Sequence, residues 1–452
     1  MMPDVARTNV SGRAALERAL SLAVLLTAAL FMAAARVRVL LILVLALAGI
    51  GAAAAVTLHP LLATCLLTFL AYGNVSSAYV PGLYSAVLAL GAVAMVLRAL
   101  LVSDSTVSGT RVDLALLVYV LTLLLSVMFS PTPEASGPAL VIIAKSLLLY
   151  LVLVNLVRDT RSAVFVSCSL VAGAGLGAFL GLWAFSRGNV LVQLGVAYRA
   201  SGLAGNANEL AIIMVTAMPV AAYTMAFARK KALRFILAVV TLALIAANFT
   251  TLARTGLISM VVVLIAIAVR ERRRAWVKAG VAAFIVLLPL LIPAGFWLRL
   301  AGSGFLTGDY SSYLRSGAMR AGVTMFSENP VTGVGLGAYL DKSTEYGDIL
   351  WSLVAHNMYL HVAAESGLLG VAGMIFVIAA TFSLMRRAER TARAGSPVFY
   401  LARAYQMSYV AFLVCGLLTS IQLNQSFWFM PAASVFLLQA ARKEGAALPA
   451  AS

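Results

Sequence analysis

The stretch ARKKALRFILAVVTLALIAANFTTLARTGLISMVVVLIAIAVRERRRAWVK, residues 228–278, predicts two helices that cross a membrane and return. About 35 mostly apolar residues separate its basic clusters, 228–234 and 270–278, which is enough for two spans. Basic residues collect in the cytoplasmic loops of membrane proteins. Both clusters are therefore expected to face the cytoplasm, and the turn NFTTLARTG, residues 248–256, is expected to lie on the far side.

The rest of the chain repeats this pattern. Of its 452 residues, 62% are hydrophobic and 11% are charged, whereas soluble domains have roughly 25% charged residues. Apolar runs of about 20 residues follow one another from near residue 20 to near residue 441, which favours spanning helices over a barrel. We predict an all-α, polytopic integral membrane helical bundle of about twelve to fourteen transmembrane helices in a single domain, residues 1–452. The number of spans before residue 75 stays open.

The net charge of +17 is explained by where the basic residues lie in a membrane protein. A soluble protein with such a charge is a candidate for nucleic-acid binding, but here the basic residues form short clusters between apolar runs. We therefore expect membrane lipids and no nucleic acid as partners. The N-terminal segment resembles a signal peptide, and we expect it to be an uncleaved first span.

Two polar stretches are predicted to lie outside the cytoplasm. The cluster RRAERTAR, residues 386–393, is cytoplasmic by the same rule, so residues 297–356 form a large extracytoplasmic loop of about sixty residues. Residues 187–208 form another extracytoplasmic loop. These stretches and the turn at 248–256 place several arginines on one face, among them Arg187, Arg199, Arg254, Arg315 and Arg320. Because a guanidinium holds phosphate oxygens through two parallel hydrogen bonds, we expect a phosphate or diphosphate ligand.

The motifs of metal and nucleotide sites are missing from the sequence. It contains no D-x-D pair and no H-x-H or H-E-x-x-H arrangement, which are common sources of metal ligands. It also contains no G-x-x-x-x-G-K-[ST] loop for ATP. We therefore expect a mechanism without a metal and without a cofactor.

The stretch AHNMYLHVAAESGLLG, residues 355–370, holds two of the three histidines. If a helix begins near Asn357, its dipole disfavours protonation of His356, and a neutral imidazole can act as a general base. His361 and Glu365 are four residues apart on one helix face, so spacing alone slightly favours His361. For each histidine, a hydrogen-bonded structural role at the helix end is the alternative. The nearby GVGLG, residues 333–337, is predicted to be a loop that turns back towards the membrane.

Four stretches resemble motifs of the O-antigen ligase and polymerase superfamily, whose members assemble bacterial surface polysaccharides. They are YRASGLAGNANELA (198–211), LARTG (252–256), RSGAMRAGVTMFSENPVTGVGLGAYL (315–340) and HNMYLHVAAESGLLG (356–370). The second motif usually reads Ser-Arg and here has Ala253. In the third, Met319 stands where an aromatic residue is common and is followed by Arg320.

The resemblance implies a GT-C-like fold in the bacterial inner membrane with a periplasmic active face. It implies a metal-independent, inverting transfer of a glycan from an undecaprenyl diphosphate carrier to lipid A-core. His356 matches the family's catalytic histidine, while Arg254 and Arg315 match its diphosphate-binding arginines. Arg320 and Arg199 are further candidates for the diphosphate. The candidate supporting residues are Asn357, His361, Glu365, Asn206 and Asn208.

Three alternatives stay open at this point. A polymerase extends one lipid-linked glycan with another, and a protein O-oligosaccharyltransferase glycosylates a protein, so both share the donor and differ only in the acceptor. A transporter or flippase for lipid-linked oligosaccharides carries out no chemistry. Transporters usually show internal repeats and polar residues near the middle of the membrane, and this sequence shows polar residues on one face and no repeat.

Overall fold

The computed structural model describes residues 51, 54–55, 59–74, 82–101, 109–188, 191–193, 197–199, 206–271, 275–291, 310–347 and 349–446. The elements named below belong to one compact unit, Pro60–Ser452. The predicted first span lies outside the described residues. The expected total of about twelve to fourteen spans therefore stays a prediction.

The elements follow one another as a chain of helices interrupted by one short hairpin. The first half comprises α1 (Pro60–Gly73), α2 (Leu83–Leu101), α3 (Arg111–Met128), α4 (Gly137–Leu156), α5 (Thr160–Ser186), β1 (Leu191–Gln193), β2 (Ala197–Arg199), α6 (Ala207–Phe227) and α7 (Lys231–Thr250). The second half comprises α8 (Arg254–Arg270), α9 (Ala275–Leu291), α10 (Tyr310–Glu328), α11 (Tyr339–Tyr346), α12 (Met358–Thr391), α13 (Pro397–Gly416) and α14 (Gln425–Ala446).

Eight helices of the described part are long and apolar enough to cross a membrane, namely α2 to α7, α12 and α13. Two shorter apolar helices, Pro60–Gly73 and Val277–Leu287, accompany them. The stretch 228–278 forms α7 and α8, joined through residues 251–253. The prediction of a polytopic helical membrane protein is confirmed. The helix α14 packs against α4, α12 and α13, and its residues from Ser426 to Leu438 are all buried.

Ionic contacts tie three helices together at the end of the bundle that carries the basic clusters. The Arg403 guanidinium of α13 contacts Glu271 at 2.8 Å and Glu389 of α12 at 2.9 Å. Arg270 at the end of α8 pairs with the same Glu389. The Gln406 amide donates a further hydrogen bond to Glu389 at 2.9 Å. The buried carboxylates thus have several partners, and this end of the bundle is held by charged hydrogen bonds.

The helix α12 is broken at one residue, and a glycine-rich loop lies against the break. The helix is continuous except at Gly367, where φ is 60° and ψ is −160°, a conformation essentially confined to glycine. The loop formed by residues 329–338, here called the wedge loop, lies against this break. Four hydrogen bonds join them: Leu368 N to Pro330 O at 2.8 Å, Leu369 N to Val331 O at 3.4 Å, Val334 N to Ala364 O at 2.9 Å and Gly335 N to Glu365 O at 3.0 Å.

The wedge loop supplies the hydrogen bonds that the broken helix has lost. Buried backbone groups need partners, and the loop provides them on both sides of Gly367. A side chain at Gly367 would overlap the Val331 carbonyl, and one at Gly333 would overlap the backbone of Glu365. GVGLG is therefore a loop in close backbone contact with α12, and its turn towards the membrane stays a prediction.

The break at Gly367 divides α12 into a short segment and a long one. The part from Leu368 to Thr391 is alone long enough to cross a bilayer core, which takes about 20 residues. The preceding segment, which contains His361 and Glu365, is not needed for spanning. These two polar side chains can therefore lie at the membrane boundary.

Candidate active site

His356 lies immediately before the cap of α12. The Asn357 side chain accepts hydrogen bonds from the backbone N–H groups of Tyr359 and Leu360, both at 3.0 Å. Its amide also donates to the Leu417 carbonyl at 3.2 Å, which fixes the start of α12 against the end of α13. His356 has φ of 51°, in the left-handed region, so its imidazole leaves the chain in a direction that helical backbone does not allow. The helix begins where the sequence predicted.

The surroundings of His356 keep its imidazole neutral. Burial, the positive charge of Arg315 and the proximity of His361 lower the pKa of His356 to about 4. The direction agrees with the sequence-based expectation, but these causes differ from the helix dipole on which that expectation rested. Near pH 7 the imidazole has a free nitrogen that can accept a proton.

The pair expected from spacing is present behind His356. His361 Nε2 lies 3.1 Å from Glu365 Oε1, and these side chains are 7% and 3% exposed. The same carboxylate oxygen accepts a hydrogen bond from Tyr339 N at 3.2 Å. The Tyr339 ring stacks on His361 with centroids 4.5 Å apart, and its hydroxyl donates to the Ala318 carbonyl at 2.6 Å. His361 and Glu365 therefore join α12 to α10 and α11.

Sequence reasoning did not single out Tyr339. The residue lies in the quoted stretch 315–340, directly after the glycine run, but its contact with His361 joins positions that no helix spacing relates. A buried aromatic residue beside a glycine-rich loop was the available signal, and it is a weak one.

The third motif brings one arginine close to His356. Arg315 and Arg320 are exposed on α10, and the charge of Arg315 acts on the His356 imidazole. The Arg320 guanidinium donates to Ser316 Oγ at 3.5 Å, one turn earlier. Of the two arginines, Arg315 is thus the one whose charge acts on the candidate base.

Arg254 is the first residue of α8 and is half-buried. Its guanidinium has no hydrogen bond or ion pair within the described part of the chain. The hydroxyls of Thr255 and Thr419 lie 3.2 Å apart, so the start of α8 contacts the connection 417–424 between α13 and α14. Asn357 is bonded to Leu417 in the same connection. This contact brings Arg254 to the corner of the bundle where His356 lies.

The first motif begins in the second strand of a short hairpin and contains the cap of α6. Leu191–Gln193 pairs antiparallel with Ala197–Arg199, and the Arg199 side chain lies outside what the structure describes. The Asn206 side chain caps α6 by accepting a hydrogen bond from Asn208 N at 2.9 Å. The Asn206 side chain therefore has a structural role at the start of α6, to which Asn208 contributes its backbone N–H.

A cavity of about 380 Å³ adjoins His361 and Glu365. Its other walls include Glu209 near the start of α6 and residues 420–424 between α13 and α14. Sequence reasoning assigned no role to these positions. They are distant from residue 356 in the chain, and only the packing of α6, α12 and α13 brings them together.

Comparison with known families supports the resemblance over one segment. The model of the O-antigen ligase family matches residues 237–375, from α7 into α12. This range contains Arg254, Arg315, Arg320 and His356, whereas Arg199 precedes it. No curated protein matches the chain. The chain thus matches the O-antigen ligase family over residues 237–375, which confirms its resemblance to that superfamily.

Proposed function

We propose that the protein is a ligase-type glycosyltransferase with a GT-C-like fold. It moves a glycan from an undecaprenyl diphosphate carrier to a sugar hydroxyl of lipid A-core, at the periplasmic face of the bacterial inner membrane. The observation that carries this proposal is a neutral, half-buried His356 next to the positive charge of Arg315. A base beside an anion-binding group suits a hydroxyl that attacks a sugar diphosphate.

The arginines act on the donor. Arg254 and Arg315 bind the diphosphate, with Arg320 and Arg199 as further contacts. Guanidinium groups bind phosphate oxygens in a fixed geometry and stabilise the negative charge that develops on the leaving diphosphate. Arg254 is half-buried at the start of α8, and the backbone N–H groups at that helix end also favour an anion.

His356 acts on the acceptor. Its free imidazole nitrogen takes the proton from the acceptor hydroxyl while the hydroxyl oxygen attacks the anomeric carbon of the donor. The bond from that carbon to the diphosphate oxygen breaks, and undecaprenyl diphosphate leaves with the electron pair. Attack from the side opposite the leaving group inverts the configuration. No metal or cofactor takes part in this scheme.

Reconstitution with defined substrates tests the proposal. Purified protein in liposomes receives an undecaprenyl diphosphate-linked glycan with lipid A-core, with a second carrier-linked glycan, or with an acceptor protein. We expect glycosylated lipid A-core and free undecaprenyl diphosphate. Consumption of the second lipid-linked glycan indicates a polymerase, and glycosylated protein indicates a protein O-oligosaccharyltransferase. Movement of the carrier-linked glycan across the bilayer with no transfer overturns the enzyme proposal.

Replacing Arg315 with glutamine is expected to change the pH dependence of transfer. The acidic limb of kcat/KM reports the pKa of the free enzyme's base, so for the wild type it lies near pH 4. Loss of the Arg315 charge raises the pKa of His356, because a nearby positive charge no longer opposes protonation. Burial remains the larger cause of the shift, so the limb moves upward but stays below 6.5.

The control for this measurement is Arg161→Gln. Arg161 lies over the Phe165 ring at the start of α5, at the other end of the bundle. Its loss leaves the acidic limb in place. An unmoved limb in Arg315→Gln would show that the titrating base is not next to Arg315.

A further inference from the structure

The cavity next to His361 is built from three separate parts of the fold. Glu209 belongs to α6, His361 and Glu365 belong to the first turns of α12, and residues 420–424 connect α13 to α14. Its volume of about 380 Å³ falls within the range of roughly 300–1,000 Å³ that is usual for small-molecule sites. The cavity is therefore large enough for a single small polar ligand.

Three polar side-chain atoms of its wall residues are buried and have no hydrogen-bond partner among the described residues. They are His361 Nδ1, Ser420 Oγ and Gln422 Oε1. The His361 and Gln422 residues are 6% and 7% exposed, so bulk water reaches little of them. Buried polar atoms in folded proteins are nearly always paired. These wall residues therefore have hydrogen-bonding capacity that a polar ligand can use.

The chemistry of these atoms selects the ligand class. His361 Nε2 faces the Glu365 carboxylate, so in the neutral imidazole Nε2 carries the proton and Nδ1 accepts. Gln422 Oε1 accepts as well, and the carboxyl oxygens of Glu209 and Glu365 are further acceptors. A phosphate or another anion is therefore disfavoured. A neutral ligand rich in hydroxyl donors fits, and that description matches a sugar.

We propose that this cavity, here called the sugar cavity, binds a sugar residue of the acceptor. The inference rests on the function proposed above and names the place of its second substrate. Its walls include Val354, two residues before His356, and His361, five residues after it. A sugar in the cavity can thus present a hydroxyl to His356, while the diphosphate of the donor lies with the arginines.

A second cleft adds room for a longer glycan. It has a volume of about 500 Å³ and shares Glu209, Leu423 and Asn424 with the sugar cavity. The shared residues make the two spaces neighbours. Sugars that precede the reacting residue of the acceptor can extend into this second cleft.

Two substitutions test the sugar cavity in the reconstituted protein. Ser420→Ala and Gln422→Met each remove one hydrogen-bonding group and keep the approximate size of the side chain. Each is expected to raise KM for the acceptor about tenfold and to leave KM for the carrier-linked donor unchanged. The control is Ser186→Ala, since the exposed Ser186 hydroxyl donates only within its own helix, to the Trp183 carbonyl at 2.8 Å. A tenfold rise in donor KM instead would assign the cavity to the donor glycan and overturn the proposal.

A binding measurement separates this inference from the proposed function. Saturation-transfer NMR detects the core oligosaccharide freed of lipid A on wild-type protein, and the donor glycan freed of its diphosphate serves as the second probe. We expect the signal of the core oligosaccharide to weaken about tenfold in Gln422→Met and to persist when inorganic diphosphate is added. An unchanged signal in Gln422→Met overturns the sugar cavity, even when the wild type is active. Binding that depends on Gln422 without any transfer by the wild type overturns the proposed function instead.

Discussion

Replacing His356 is expected to reduce transfer by about 10²- to 10⁴-fold, the usual contribution of a positioned general base. The proposed reaction needs an uncharged base next to the acceptor hydroxyl, and burial together with Arg315 holds the pKa of His356 near 4. Because His356 has φ of 51°, the best substitution is His356→Asn, since asparagine tolerates the left-handed region better than alanine. His356→Ala is expected to lose activity to the same extent while membrane insertion persists. The measurement is the initial rate of glycan transfer in liposomes.

Two controls distinguish a loss of catalysis in the His356 variants from a loss of folding. His59→Ala removes the exposed third histidine and is expected to retain wild-type activity. Equal thermal stability of wild type and His356→Asn in detergent shows that the fold is intact. Full activity in the His356 variants would sink the assignment of the base and would return the choice to His361.

Replacing Gly367 with alanine is expected to remove both activity and much of the stability. The residue adopts a φ and ψ combination that only glycine tolerates, and a new side chain would overlap the Val331 carbonyl. The wedge loop then has to withdraw, and the hydrogen bonds across the break in α12 are lost. We expect a fall of more than about 3 kcal/mol in the free energy of unfolding, since strain and the lost hydrogen bonds add together. Thermal unfolding in detergent and the transfer rate measure the two effects.

Gly395→Ala is the matched control for this substitution. Gly395 also has positive φ, 81°, but a side chain there meets no other atom within 4 Å. The Gly395→Ala variant is therefore expected to lose only the free energy of backbone strain, about 1–2 kcal/mol, from its free energy of unfolding. Equal destabilisation of the two variants would mean that the contact between Gly367 and the wedge loop does not contribute. Normal transfer by Gly367→Ala would mean that the site does not depend on that contact.

The bundle was predictable because a bilayer allows few backbone structures. The apolar run between two basic clusters became α7 and α8, and the polar turn between them became the start of α8 with Arg254. The same reasoning gave no order in which the helices pack. The central place of α14 is an example, because its sequence is less apolar than that of the spans around it, yet packing buries every residue from Ser426 to Leu438.

The candidate site was predictable in part. Spacing along a helix found the contact between His361 and Glu365, because four residues bring two side chains together on one face. Spacing also slightly favoured His361 as the base, and only the family resemblance moved the choice to His356. The wedge loop and the sugar cavity could not be found in this way. Backbone pairing between the loop and α12 leaves no periodic pattern of side chains, and residues 420–424 reach the cavity from a distant part of the chain.

The pairing of the wedge loop with α12 also bears on how the protein is made. The loop precedes α12 in the chain, so the ribosome delivers it before the helix that it completes. Unpaired N–H and C=O groups are costly in contact with lipid, and the break at Gly367 leaves such groups on both sides. A loop that is already synthesised can pair with them as α12 emerges from the insertion machinery. The order of synthesis therefore suits the order of assembly, and a chain rearranged to place α12 first would present its broken helix to lipid before its partner existed.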